Sequence, residues 1–179
     1  MYKLTLTQKD FLNYLLFAAS KSTRIRNSRI KSWLMLTGVF FCLGLVFALG
    51  ENKFLSWYFF VAGLVVFIFY PIYVKQRYRK HYIKYINENL RSRIGMECKI
   101  GFVNGCIVSE DLSGESKTHI IDIENISEIG KNLFVRIKTG ETLIIPSNIN
   151  DFDKFKTELK ENIKETQPDW NVEYGWKWK

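Results

Sequence analysis

Residues 33–50 read WLMLTGVFFCLGLVFALG and residues 54–74 read FLSWYFFVAGLVVFIFYPIYV, with no charged side chain in either. At 1.5 Å per helical residue, a bilayer core of about 30 Å takes about 20 residues. The second run supplies that length, and the first reaches it with its flanks. Only Glu51, Asn52 and Lys53 stand between them, so the two helices are expected to be antiparallel neighbours. In a chain of 179 residues, two uncharged runs of this length leave no partner to bury them in a soluble core. A cleaved signal peptide is the competing reading of the first run. That run starts too far from the N-terminus and lacks a small-x-small cleavage pattern at its end.

The average composition hides this division, because 47% hydrophobic residues and a mean hydropathy of −0.09 describe an ordinary soluble protein. The charges reveal it. Lys21, Arg24, Arg26, Arg29 and Lys31 precede the apolar block, and Lys75, Arg77, Arg79, Lys80, Lys84, Arg91 and Arg93 follow it. Cations gathered at the outer flanks of two spans, against one in the turn, predict that both termini face the cytoplasm. The net charge of +8 would suit nucleic acid, but cations placed at span ends argue against it. The lipid bilayer is therefore one expected partner. Trp33, Trp57, Tyr58, Tyr70 and Tyr73 fall near the expected interfaces, and Pro71 can bend the exit of the second span. Gly38, Gly44, Ala62 and Gly63 allow the two backbones to approach closely.

Outside the hairpin at 33–74, four further segments are legible. Segment 1–32 holds an alternating start, Tyr2 to Leu6, that suits an added edge strand, and then an amphipathic helix opened by a Thr7/Asp10 capping box. Phe11, Leu12, Leu15, Leu16 and Ala19 form its apolar face, for the membrane interface or for the soluble domain. Segment 75–94 is a basic juxtamembrane helix. Segment 95–166 turns to strand periodicity, with Asn104-Gly105 as a two-residue hairpin turn, 111–117 as a polar loop, and strand-like pieces at 119–123, 125–129, 133–139 and 141–146. A helix with N-cap Asn150 and a stripe of Phe152, Phe155, Leu159 and Ile163 follows. Strands closed by one helix suggest a small, partly closed barrel or sandwich. Segment 167–179, QPDWNVEYGWKWK, is an aromatic tail that forms an extra strand or flap, or else contacts the membrane or a partner.

The order of these parts resembles the YcxB-like proteins of bacteria. The segment HIIDIENISEIGKNLFVRIKTGETLIIPSNINDFDKF is similar to that family's closing pattern, with Ile126, a turn at 130–132, a strand at 134–137, and Ile144 to Pro146 before a helix. Ile123 stands where the family often has an aromatic residue, and Ser147 where a basic one often follows Ile-Pro. The resemblance implies a pleckstrin-homology-like domain on a two-span anchor. The expected fold is thus an α+β membrane protein: a transmembrane hairpin plus a cytoplasmic pleckstrin-homology-like β domain closed by a C-terminal helix.

No catalytic, cofactor or metal residues are expected. His81 and His119 have no Cys, His or carboxylate partner at a recognised motif spacing. Asp122, Glu124 and Glu128 are close in sequence, but strand alternation puts the first two on one face as a solvated row, Ser109 and Ser113 lack a nearby base, and the glycines form no phosphate loop before a helix. Cys42, Cys98 and Cys106 fit reduced thiols. Phosphoinositide recognition is discounted, because Glu110, Asp111 and Glu115 follow the first hairpin. The candidate membrane-interface or partner contacts are Trp33, Trp57, Arg77, Arg79, Trp170, Trp176 and Trp178. The function expected is non-enzymatic binding of an unidentified protein, or assembly, at the membrane. Neutralisation of a membrane-targeting toxin and regulation of a membrane enzyme are the alternatives.

Overall fold

The computed structural model describes residues 1–50, 52–111 and 114–178. Expectations for the turn residue Glu51, for Leu112 and Ser113, and for the terminal Lys179 lie outside the described residues. The chain is α+β and divides into two compact units: residues 1–14 with 83–177, and residues 15–82 with the last two residues.

The first unit is a β structure interrupted in sequence. Strand β1 (Tyr2–Thr5) pairs antiparallel with β2 (Glu97–Val103), Tyr2 opposite Ile100 and Leu4 opposite Cys98. β2 continues to β3 (Cys106–Asp111) and β4 (Gly114–His119), giving one sheet in the order β1-β2-β3-β4. Asn104 and Gly105 both take positive φ, +49° and +74°, the backbone that a two-residue hairpin with native twist requires. The second sheet has the order β7-β6-β5-β8, built from β5 (Ile123–Ile129), β6 (Asn132–Ile137), β7 (Thr142–Ile145) and β8 (Asp169–Val172). Helix α4 (Phe152–Asn162) lies between β7 and β8 in sequence.

The core draws on both sheets and the helix. Tyr2, Leu4, Ile100 and Ile107 come from the first sheet, Ile126, Leu133, Val135 and Ile145 from the second, and Phe155 and Leu159 from α4, with Ile163 just past its end. Tyr2 and Phe102 meet the Phe155 ring at centroid distances of 5.2 and 5.3 Å. The β1 strand expected in segment 1–32 and the β8 strand expected in segment 167–179 are therefore parts of one packed unit with the strands of 95–166.

Three local expectations change. Residues 114–117, expected in a loop, are strand β4, because their side chains form an exposed row and the backbone completes the β3 hairpin. The expected strand at 119–123 is instead a turn of 3₁₀ helix at Ile120–Asp122, where the chain leaves one sheet for the other. The residue before α4 is Asp151, in the left-handed region at φ +55°, rather than Asn150, whose amide donates to the Lys3 carbonyl at 3.1 Å.

The second unit is helical. The Thr7/Asp10 capping box forms and opens α1 (Gln8–Lys21), with the Thr7 amide donating to Asp10 at 3.0 Å and the Asp10 amide to the Thr7 hydroxyl at 3.3 Å. The helix begins in the β unit, where Tyr14 lies edge-on to Phe134 at 5.4 Å. Ser22 then caps α2 (Thr23–Leu49), so the basic residues 23–32 are the first turns of the apolar helix itself rather than part of the preceding one. Asn52 caps α3 (Lys53–Asn89), which runs unbroken from the apolar stretch through the basic one. Both helices are long and apolar enough to cross a membrane, with mean hydropathies of 2.2 and 2.0 over their most apolar windows.

The α2–α3 contact is close where glycine permits it. A Cβ on Gly44 would meet the Phe60 ring at 3.2 Å and one on Gly63 would meet Phe40 at 3.2 Å, whereas Gly38 has open space around it. Ser56 donates its hydroxyl to the Gly44 carbonyl at 3.0 Å. Pro71 removes the amide that would bond the Phe67 carbonyl four residues back. The Trp33 indole N–H donates to that same carbonyl at 3.1 Å, and its ring stacks on Phe67 at 4.7 Å. The sequence places Trp33 and Pro71 on different helices, and the fold makes one repair the other.

Candidate functional site

The most elaborate polar site in the β unit is centred on Glu128, whose burial no local sequence pattern indicates. Alternation along β5 puts Glu128 on the same side as the fully buried Ile126, and only 4% of its side chain is exposed. Its carboxylate is met by three donors: the Lys156 ammonium at 2.6 Å, the Trp170 indole at 3.3 Å and the Tyr174 hydroxyl at 3.2 Å. Burial works to raise the carboxyl's pKa, but these donors outweigh it and hold the group below the ordinary carboxylate range. Lys156 likewise stays above the usual ammonium range, since Glu128 overcomes the effect of burial. Lys160 lies over the Trp170 ring at 5.2 Å. The whole arrangement ties the tail to the domain, with β8 parallel to β5 and Trp170 opposite Ile126.

Of the expected contacts, Trp170 and Trp176 thus belong to the β unit. Trp176 is half-buried and, with Tyr174, lines an open groove of about 460 Å³. The groove's other walls include Lys9, Asn13 and Lys131, beside a chain of hydrogen bonds. Asn132 donates to Asp10 at 3.4 Å and accepts from the Ser147 amide at 3.2 Å, and Asn148 donates to the Thr5 carbonyl at 2.7 Å. Cationic and amide groups at the rim, aromatic rings at one side and an internally bonded floor make a surface suited to a polar, extended segment.

The remaining candidates are in the helical unit. Trp33 is engaged with Phe67 as described, and Trp57 is 72% exposed. Arg77 and Arg79 are exposed on α3. Trp178 is buried: its indole N–H donates to the Lys75 carbonyl at 3.3 Å, and its ring lies 5.8 Å from Tyr78 and 4.9 Å from the Arg29 guanidinium. Residues 167–179, read as one tail, therefore supply rings to both units.

His119, given no partner by motif spacing, has one through the β3–β4 hairpin. Cys106 and His119 are directly opposite, with Sγ and Nδ1 3.2 Å apart. His119 is exposed at the end of an edge strand, so this is a cross-strand pair at the surface. Glu124 pairs with Arg136 at 3.0 Å, and Asp122 is in the 3₁₀ turn, so the three acids do not converge. Among the described residues, no three His, Cys, Asp or Glu side chains gather as a metal site. Comparison with family models, curated proteins and solved structures finds no match to this chain.

Proposed function

We propose that this chain is a membrane-anchored binding module of the YcxB-like kind, in which α2 and α3 cross a bacterial inner membrane with both termini cytoplasmic. The observation that carries the reading is the outward apolar surface of the two helices: Leu34, Met35, Leu45, Val46 and Leu64 are 54–75% exposed, and cations flank the band. Such a surface is costly in water and at no cost in lipid. The helices leave the β unit after β1 and return before β2, so adjacent strands hold the two ends of the insertion together. An even number of crossings then keeps both ends on one side.

The β unit resembles a pleckstrin-homology domain in its order, with four strands in one sheet, three consecutive antiparallel strands in the next and a helix packed into the core. β8 is an addition to that plan. The role is non-enzymatic: the groove beside Trp176 binds a protein segment or a neighbouring subunit at the membrane surface. Its floor groups are already bonded to one another, which suits a scaffold more than a reacting centre.

Two measurements test this. The full chain is expected to stay with membranes through alkaline carbonate washing, and reporter fusions are expected to place both termini inside and Asn52 outside; release by carbonate sinks the anchor. A photo-crosslinker at Lys131 or Trp176 is expected to capture one discrete protein, whereas the same probe at Glu124, remote from the groove, is expected to capture none. Equal capture at both sites rejects the groove as the binding surface.

A further inference from the structure

The helical unit carries an imbalance of charge that its own residues do not resolve. Between Asp10 and Glu88 the only acidic residue is Glu51, beside Lys53 in the turn. At the other end of the hairpin, Arg24, Arg26, Lys31, Lys75, Arg77, Arg79 and Lys80 are all exposed. No ion pair holds any of these seven among the described residues.

The helices bring the two sets to one level. Trp33 meets Phe67 and Arg29 lies 5.8 Å from the Tyr78 ring, so residues 24–31 of α2 run beside residues 70–82 of α3. From Arg24 to Lys31 the helix rises about 10 Å, which is comparable to the headgroup layer of roughly 5–8 Å on each side of a bilayer core. Trp33, Tyr70, Tyr73, Tyr78 and Trp178 fall in the same zone, where amphipathic rings favour the lipid–water boundary.

We infer that this collar binds anionic glycerophospholipids, taking their phosphodiester groups as the counter-charges that residues 11–87, with Glu51 as their one acid, do not supply. The inference rests on the membrane reading and names the lipid class that reading leaves open. Nucleic acid offers the same phosphate chemistry, but the exposed apolar band directly adjoining the collar fits a lipid with an acyl chain below its phosphate. Each cation near an anionic surface contributes roughly a five-fold preference, so seven acting even partly together give a measurable selection.

The test uses the full chain, purified in detergent and reconstituted into nanodiscs of phosphatidylcholine with one quarter phosphatidylglycerol. The lipids retained after extraction back into detergent are weighed by native mass spectrometry. Phosphatidylglycerol is expected to be enriched several-fold over the input ratio, and the enrichment is expected to collapse in 0.5 M NaCl. Replacing Arg24, Arg26, Lys31, Arg77 and Arg79 together by Gln is expected to abolish it, while replacing the four arginines by Lys keeps it. The salt titration needs no variant, so it decides the matter even where the neutralised chain inserts poorly. Retention at the input ratio, or tight binding of an RNA oligomer that phosphatidylglycerol does not displace, overturns the inference. Release of the chain by carbonate overturns the anchor reading instead.

Discussion

In the β unit Ile126, Leu133 and Val135 are completely buried, whereas in the helical unit Leu34, Met35 and Val46 are 57%, 75% and 62% exposed. The same kind of side chain is turned inward in one unit and outward in the other. Polar groups follow the opposite rule. The β unit keeps a buried carboxylate and gives it three donors. The described part of the hairpin interior holds no charge at all; Ser56 and Trp33 donate to backbone carbonyls, while the buried Thr37 hydroxyl has no hydrogen-bond partner among the described residues. One unit is therefore held by a filled core in water, and the other is suited to a surrounding that has no hydrogen bonds to offer.

The contrast can be broken most severely at Phe155, which is fully buried between Tyr2 and Phe102. Phe155→Ala is expected to destabilise the β unit by about 3–5 kcal/mol while the helical circular-dichroism signal of α2 and α3 persists. Denaturant melts followed by both near- and far-ultraviolet signals check this, and simultaneous loss of both signals would show that the helical pair depends on the β core.

A charge placed on the outward apolar surface should be next. Leu64 is 54% exposed, so in water Leu64→Arg would fall within about 0.5 kcal/mol of neutral. At the centre of a span it is expected to cost about 2.5–3.5 kcal/mol and lower the carbonate-resistant fraction. A neutral outcome would refute the lipid surrounding.

The Glu128 site gives a smaller effect with a pH signature. Glu128→Gln leaves Lys156 without its counter-charge, but that ammonium is only partly enclosed, so a loss of about 1–3 kcal/mol is expected. Because the folded carboxyl's pKa is lowered, its stabilisation is present above the ordinary carboxylate range near 4.3 and is lost as pH falls through the folded value. Lys156, being raised, contributes below about 10.4 and loses that contribution as pH rises through its own folded value. The protection of the β8 amides against hydrogen exchange, relative to their intrinsic rate at each pH, is therefore expected to fall on acidification, and the Gln variant to lose that dependence.

The smallest effect tests the repair of the helix at Pro71. Trp33→Phe should leave the Phe67 carbonyl unbonded at a cost of about 1 kcal/mol, and Pro71→Ala in the same chain should recover it by restoring the backbone amide. A double-mutant cycle with zero coupling would show that the indole contact contributes only stacking.

Much of this architecture was legible from local pattern. The two apolar runs, the capping box at Thr7 and Asp10, and the hairpin at Asn104-Gly105 depend on residues close in sequence, where periodicity and φ preference act directly. Other features were not legible, for reasons that are equally specific. Glu128 resembles the exposed Glu124 in sequence and differs only because Lys156, Trp170 and Tyr174, 28 to 46 residues away, enclose it. The Cys106–His119 contact depends on strand register across a hairpin whose polar residues had suggested a loop.

The sequence by itself determined the division into an apolar helical pair and a strand-rich part, the side of each span on which cations gather, and the aromatic character of the tail. Those properties follow from composition and from periods of 2 and 3.6 residues. Only the tertiary structure decided which strands β1 and β8 pair with, that a carboxylate is buried at Glu128, and that Trp170 and Trp178 serve different units. Each of these depends on groups far apart along the chain, and which distant groups meet is fixed by packing rather than by any local preference.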